Sequence, residues 1–119
     1  MKEILFKGKS EGKWITGFHK IEIDDNNILH DVIYYGKDFE CEVDSETVCE
    51  STGLKDSEGT EIFEGDILLT NIQPEDVNVV VKWNEDKAGF ELEYENGTTY
   101  GKIEKSKVGS WKVIGNVHD

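Results

Sequence analysis

Glycines divide the apolar residues of this chain into short runs, and this pattern restricts the fold more than any other feature of the sequence. The 119 residues include twelve glycines but a single proline, Pro74. The apolar runs are shorter than an ordinary helix of about ten to twelve residues, so they favour short strands joined by turns. The length matches one domain, and we predict a single, mainly β domain over residues 1–119.

Three segments of the N-terminal half predict strands. Residues 4–6 and 14–18 are apolar and flank the polar stretch 8–12, so we expect them to pair as a β-hairpin. Residues 28–35 are rich in branched and aromatic side chains and favour a strand, with a helix as the alternative.

The C-terminal half alternates more regularly, as half-buried antiparallel strands do. One strand places on a single face the apolar residues Val77, Val79, Val81 and Trp83. The next alternates glutamates with Phe90, Leu92 and Tyr94. Asn96-Gly97 is typical of a tight hairpin turn in which both residues take positive φ, and it leads into a returning strand at 98–100. Residues 111–117 predict a closing strand.

The chain is strongly acidic, which restricts its partners. Twenty-six acidic residues face thirteen basic ones, and every basic residue is a lysine, for a formal net charge of −13. Direct nucleic-acid binding is disfavoured because phosphate contacts need a concentrated basic surface and base reading relies on arginine. Anionic membranes would repel such a surface. Basic proteins, cations and uncharged partners stay open.

The sequence predicts a cytoplasmic protein without a cofactor or a metal site. Its first seven residues contain too short an apolar run for a signal peptide, and no stretch is long enough to span a membrane. Cys41 and Cys49 are eight residues apart, which fits neither a redox pair nor a zinc pair, so we expect buried free thiols. The spacing of the three histidines does not indicate metal ligands.

The middle of the chain, residues 52–68, carries glycine at positions 53, 59 and 65, each where a turn is expected. Asp56 to Gly59 can form a β-turn in which the aspartate side chain accepts backbone N–H groups. Glu64-Gly65-Asp66 then predicts a turn into an apolar strand at 67–69.

Residues spread over nearly the whole chain resemble the YopX family, small proteins encoded by bacteriophages and prophages. At the start the similar positions are Ile4, Phe6, Lys7, Gly8, Lys9, Trp14 and Gly17. In the centre they are Val43-Asp44, Glu46-Thr47-Val48 and residues 52–67. At the end they are Val81, Trp83 and Val113-Ile114-Gly115-Asn116-Val117. The chain departs from the family pattern of glycine, glutamine and an aromatic residue at Cys49, Glu50 and Ser51.

The resemblance implies a mainly β fold with antiparallel hairpins in the N-terminal half and a small Src-homology-3-like β-barrel in the C-terminal half. We place the hairpins in a sublobe of residues 1–50 and the barrel at 62–117. The family has no established biochemical role, so the resemblance implies no activity.

Acidic residues alternate along one segment, which we call the acidic stripe: Asp38, Glu40, Glu42, Asp44 and Glu46. On a strand these side chains share one face, about 6.6 Å apart at about 3.3 Å per residue. One strand of DNA carries a phosphate every ~3.4 Å, so the stripe alone is too sparse to imitate duplex DNA. The neighbouring acids that could add to it are Glu50, Asp56, Glu58, Glu61, Glu64 and Asp66.

Three function classes follow. The first is a non-enzymatic phage accessory protein that binds an unidentified host or phage protein through the acidic stripe. The simpler alternative is that the stripe is only a solvated face. The second is a self-assembling structural homo-oligomer that pairs through strand edges. The third is a metal-dependent hydrolase built on Glu64 and Asp66. No histidine or recognisable nucleophile accompanies that pair, so we predict no catalytic residue.

Overall fold

The computed structural model describes residues 4–70 and 77–119. They group into two compact units, Met1–Ser51 (unit 1) and Thr52–Asp119 (unit 2), and the boundary falls within one strand. The expected single domain with sublobes 1–50 and 62–117 stays a prediction. Pro74, the first three residues and the part of the expected barrel at 71–76 lie outside the described residues.

The chain is mainly β, as predicted, and its strands form two antiparallel sheets. The strands of the described residues are β1 (Phe6–Ser10), β2 (Lys13–Ile23), β3 (Leu29–Tyr34), β4 (Glu40–Val43), β5 (Cys49–Lys55), β6 (Glu61–Phe63), β7 (Asp66–Leu69), β8 (Asn78–Asn84), β9 (Gly89–Tyr94), β10 (Thr99–Lys102) and β11 (Lys112–Asn116). A 3₁₀ turn (Ser45–Thr47) follows β4, and a single-turn helix α1 (Lys105–Val108) precedes β11. The helical alternative for residues 28–35 is wrong, because this segment forms β3.

In unit 1 the strands pair in the order β4-β3-β2-β1-β5. The predicted first hairpin is confirmed, but its strands extend further into the polar stretch than expected, as far as the pair Ser10 and Lys13. Glu11 and Gly12 alone make the turn, with φ of 52° and 78°. Positive φ at both central residues matches the right-handed twist of the paired strands.

The sheet of unit 1 curls until the end of β4 meets β1. The backbone N–H of Asp44 donates to the carbonyl oxygen of Lys9 (2.8 Å), and the N–H of Lys9 donates to the Thr47 hydroxyl (2.8 Å). Gly8 lies against Val43, where an added Cβ would come within 2.8 Å of Val43 Cγ2. The curl therefore depends on a residue without a side chain at the point of closest approach.

Unit 2 holds a five-stranded sheet in the order β10-β9-β8-β7-β11, and β6 pairs with the part of β5 that lies in this unit. Its buried core consists of Ile62, Leu68, Val79, Val81, Leu92, Val108 and Trp111. The predicted pairing of β8 with β9 is confirmed, since Val81 lies opposite Leu92 and Trp83 opposite Phe90, but the expected half-buried pattern is broken by a buried Glu91 and an exposed Trp83. The predicted closing strand is confirmed as β11.

The predicted hairpin between β9 and β10 is confirmed, but its turn differs from the expected one. Of the pair Asn96-Gly97 only Gly97 has positive φ, at 88°. The N–H of Gly97 donates to the Tyr94 carbonyl (2.9 Å), and the N–H of Tyr94 donates to the Thr98 carbonyl (2.8 Å). The loop therefore contains three residues, with glycine in the left-handed position that follows an ordinary turn.

No closed barrel is found in this sheet. Among the residues that the structure describes, β10 and β11 are the two ends of the strand order and are not paired. The expected Src-homology-3-like barrel is therefore not confirmed.

Gly17 in β2 provides a test of the close backbone approach in unit 1. A Cβ added here would overlap the carbonyl oxygen of Tyr34 in β3 and would lie 3.1 Å from Ile33 Cγ2. Because a backbone carbonyl cannot move aside without breaking strand pairing, we expect Gly17→Ala to lower the free energy of unfolding by about 1–3 kcal/mol. Urea denaturation measures this loss. Thr16→Val, at the exposed neighbouring position, keeps a β-branched side chain and should stay within about 0.5 kcal/mol of wild type, and equal losses in both variants would contradict the close approach.

Candidate functional site

All five carboxylates of the acidic stripe are exposed, but they do not share one strand. Only Glu40 and Glu42 lie on β4. Asp38 precedes the strand in a bend, and the chain leaves the extended conformation after Asp44, where the N–H of Thr47 donates to the Asp44 carbonyl (3.0 Å). The expectation of one strand across the whole stripe is therefore wrong, because the 3₁₀ turn redirects its last third.

Glu40 shares a cation with Glu22 of β2. Lys20 Nζ lies 2.9 Å from Glu40 Oε2 and 3.0 Å from Glu22 Oε1. Hydrogen bonds to Glu40 and Glu22 raise the pKa of Lys20 to about 12. The side chains of this trio are 42–52% exposed, so solvent screens the ion pairs and they contribute little to stability.

Glu42 is held by His30 of β3. His30 Nδ1 lies 2.7 Å from Glu42 Oε2, and Nε2 lies 2.8 Å from Asp24 Oδ2. Hydrogen bonds to Asp24 and Glu42 raise the pKa of His30 to about 9, so the ring is an imidazolium at neutral pH and donates from both nitrogens. The same contact with His30 lowers the pKa of Asp24. This clamp ties β4 to the β2–β3 hairpin and offsets part of the charge of the stripe.

The second histidine contact of unit 1 joins His19, Asp31 and Ser45. The Ser45 hydroxyl donates to Asp31 Oδ2, and His19 Nε2 lies 2.7 Å from Asp31 Oδ1. Hydrogen bonds from Ser45 and His19 lower the pKa of Asp31. The carboxylate lies between the hydroxyl and the imidazole, whereas a serine nucleophile needs the imidazole in the middle position. This group therefore links β2, β3 and the 3₁₀ turn.

Two of the acids that were expected to add to the stripe are buried. Asp56 is 6% exposed and Asp66 is 1% exposed, so neither contributes to surface charge and that expectation is wrong for both. Burial raises the pKa of Asp56, but hydrogen bonds from the N–H groups of Val113, Thr60 and Glu58 outweigh it, and the pKa is lowered overall. These contacts confirm the predicted β-turn at Asp56, whose carboxylate also holds β11.

The Glu64-Gly65-Asp66 turn is confirmed and is tied to the end of the chain. Asp66 Oδ2 accepts from the N–H of Phe63 (2.8 Å), and Oδ1 accepts from Asn116 Nδ2 (2.8 Å). Gly65 has φ of 84°, and a Cβ there would lie 3.2 Å from Asn116 Nδ2. The Asp66 carboxylate is thus committed to the fold. Sequence reasoning named both segments but did not pair them, because no spacing rule links residues fifty positions apart.

The thiols are free, and they differ in burial. Cys49 is buried as expected, but the expectation is wrong for Cys41, which is half-buried. Within residues 4–70 and 77–119, no group of three or more His, Cys, Asp or Glu side chains is arranged to hold a metal ion. None of the helices described there is long and apolar enough to cross a membrane.

An open cavity of about 500 Å³ adjoins Glu40 at the start of β4. It is lined by Lys20, Tyr34, Gly36, Lys37, Asp38, Phe39 and Glu40. Phe39 is 63% exposed and stacks on Tyr35, with the ring centroids 5.9 Å apart. The acidic stripe is therefore accompanied by aromatic side chains that are accessible to a partner.

Comparison with known proteins confirms the resemblance noted in the sequence. A sequence model for the family described as YopX protein matches residues 6–119. The match includes β1 to β11 and both segments that meet at Asp66 and Asn116. No curated protein matches the chain.

The His30 clamp predicts a pH dependence of stability. The pKa of His30 is raised from an ordinary value of 6.5 to about 9 in the folded chain, so its contribution is complete below pH 6.5 and is lost as the pH rises through about 9. We expect wild type to lose more stability over this interval than His30→Gln, as measured by urea midpoints across the pH range. His118→Gln serves as the control and should retain the wild-type loss. A parallel pH profile for His30→Gln would show that the clamp does not form in solution.

Proposed function

The chain belongs to the YopX protein family, which is associated with phages and prophages, and on that premise we propose that it is a non-enzymatic phage accessory protein. It acts in the cytoplasm of the bacterial host and binds a basic host or phage protein. Its binding surface is the acidic stripe, which unit 1 presents around β4.

The observation that carries this proposal is that every carboxylate of the stripe is exposed. All five carboxylates reach solvent, whereas other acids of the chain, such as Asp56 and Asp66, are turned inward to accept backbone N–H groups. Within the described residues, Asp38, Asp44 and Glu46 have no cation within ion-pair distance. These three carboxylates can meet the cations of a partner without first breaking an internal pair.

The net charge of −13 supports the same conclusion. A chain of this charge attracts basic partners over a distance of about a Debye length, ~10 Å at 0.1 M salt, and accelerates their encounter. Each exposed ion pair contributes only about 0.2–1 kcal/mol, so the affinity comes from several contacts together and falls with added salt.

A variant that neutralises the stripe tests the proposal. It carries the substitutions Asp38→Asn, Glu40→Gln, Glu42→Gln, Asp44→Asn and Glu46→Gln. Its control removes the same charge from five exposed acids elsewhere: Asp25→Asn, Glu85→Gln, Asp86→Asn, Glu95→Gln and Glu104→Gln. At about 0.2–1 kcal/mol for each pair, we expect the stripe variant to lose about tenfold or more in affinity.

The measurement is affinity capture from lysate of infected host cells, followed by mass spectrometry and by titration of the captured protein. Wild type and the control variant should retain the same basic protein, and the stripe variant should not. Retention should weaken with salt. Capture of no protein, or equal retention by both variants, would overturn the proposal.

A second candidate function is self-assembly, which a separate apolar surface supports. Ile21, Ile23 and Leu29 share one face at the end of the β2–β3 hairpin and are 58%, 65% and 62% exposed. Adjacent large aliphatic side chains with this exposure are typical of an interaction surface.

Light scattering across a range of protein concentrations tests self-assembly. If copies associate through this surface, the mass of wild type rises above the monomer mass of 13.5 kDa, and Ile23→Lys restores the monomer. The control Thr16→Lys is also exposed and lies on the same strand, and it should leave the oligomer intact. A wild type that stays monomeric at every concentration would remove this candidate.

A further inference from the structure

We propose that the partner adds an extended basic segment as an antiparallel strand along the outer edge of β4, continuing the antiparallel pairing of β4 with β3. This inference rests on the proposed function and specifies how the partner is held. It differs from simple charge attraction because backbone hydrogen bonds supply part of the affinity, as in other cases of strand addition to a sheet edge.

The strand β4 has a neighbour on one side only along Glu40 to Glu42. It is the last strand in the order β4-β3-β2-β1-β5, and β3 is its pairing partner in the part of the chain that the structure describes. An edge of this kind presents unpaired N–H and C=O groups, which are a template for another strand.

The hydrogen bonds of the β3–β4 turn show which residues of β4 point outward. The N–H of Tyr35 donates to the carbonyl of Phe39 (3.0 Å), so these two residues form a hydrogen-bonded pair. In an antiparallel ladder alternate residues face the same neighbour, so Cys41 also faces β3. The backbone groups of Glu40 and Glu42 therefore face away from β3, toward the open edge.

The end of β4 already uses this outward direction. Asp44 lies two residues after Glu42, so its backbone groups also face away from β3. Its N–H donates to the carbonyl of Lys9 in β1 (2.8 Å). At Glu42 the carbonyl accepts, among the described residues, a contact of 3.5 Å from the Cys41 thiol. The edge is thus closed by β1 at Asp44 and accessible before it.

Charge determines which kind of strand can occupy this edge. Two copies of the chain that paired β4 with β4 would bring the carboxylates of Glu40 and Glu42 against each other, and like charges on opposed residues destabilise a strand pair. A segment with lysine or arginine at alternate positions places its cations on the same face as these carboxylates. The edge therefore favours a basic partner over a second copy of this chain.

The open cavity beside Glu40 adds a position to the recognition pattern. On an added strand, the residue next to the cations on the same face would reach this space, where Tyr34 and Phe39 provide aromatic walls. An apolar side chain can pack on these two rings, while the charged side chains of Lys20, Lys37 and Asp38 line the rest of the cavity. From its N-terminus, the expected partner segment thus carries a basic residue, a second basic residue and an apolar residue at alternate positions, and the cavity supplies side-chain specificity.

The experiment uses a fluorescein-labelled nine-residue peptide in which lysine, lysine and leucine, in this order from the N-terminus, stand at alternate positions between threonines. Binding to the full chain is followed by fluorescence anisotropy. Two matched peptides carry N-methyl groups, either on the two lysine amides, which face β4 in the added strand, or on two threonine amides, which face away. Charge and methyl count are the same in both peptides.

We expect methylation of the lysine amides to weaken binding by about tenfold or more, since hydrogen bonds are lost on the edge, and methylation of the threonine amides to have a much smaller effect. Equal binding of the two methylated peptides overturns the strand-addition inference while leaving an acidic binding surface. Equal binding of the unmodified peptide to wild type and to the stripe variant, or no binding to either, overturns the acidic binding surface itself. The strand-addition inference, which rests on that surface, then fails with it.

Two substitutions at Glu42 test the same edge from the protein side. Glu42→Gln removes the charge but keeps the outward N–H. Glu42→Pro removes both the charge and the N–H, and no hydrogen bond to β3 is lost because the N–H of Glu42 faces away from β3. Glu42→Pro should bind the unmodified peptide more weakly than Glu42→Gln. Thermal unfolding followed by circular dichroism verifies that both variants fold. Equal affinities of two folded variants contradict the inference, and the methylated peptides decide the matter if the proline variant does not fold.

Discussion

The hydrogen bond from Asp44 to Lys9 is the contact on which the candidate site depends. It brings the end of β4 to β1, so it sets the curl of unit 1 and starts the 3₁₀ turn. The same bond ends the strand after Val43, so that Glu40 and Glu42 lie on β4 whereas Asp44 and Glu46 lie beyond it. A backbone contact between residues 35 positions apart thus determines which acidic residues of the stripe lie on β4.

Local patterns predicted the regular parts of the fold. Side-chain periodicity predicted the pairing of β8 with β9 and the mainly β class. Glycine, which adopts positive φ readily, predicted the turns near Asp56 and Gly65. The curl of unit 1 and the pairing of Asp66 with Asn116 did not follow, because both join segments that are far apart along the chain. The prediction of a two-residue turn at Asn96-Gly97 was wrong for a different reason. A three-residue loop also requires a residue in the left-handed conformation, so glycine does not distinguish the two loops.

The candidate site was predictable in its residues and less so in its geometry. Alternating acids identified the stripe, but the sequence could not show that Lys20 and His30 reach across from β2 and β3 to two of its members. Nor could it separate exposed acids from Asp56 and Asp66, whose oxygens replace missing backbone partners. A high acidic count therefore overstates the charge that a partner meets, because several carboxylates serve the fold.

The alternation along β4 also has a consequence for the way this protein can diverge. Its odd positions turn their backbone toward β3, and Val43 is buried in the curl, whereas Glu40 and Glu42 project into solvent. The backbone pairing of β4 with β3 thus falls on its odd positions, whereas the proposed recognition uses its even ones. Under the proposed function, substitutions at the even positions would change the partner that the edge accepts while the odd positions continue to pair with β3, so the target would vary on an unchanged scaffold.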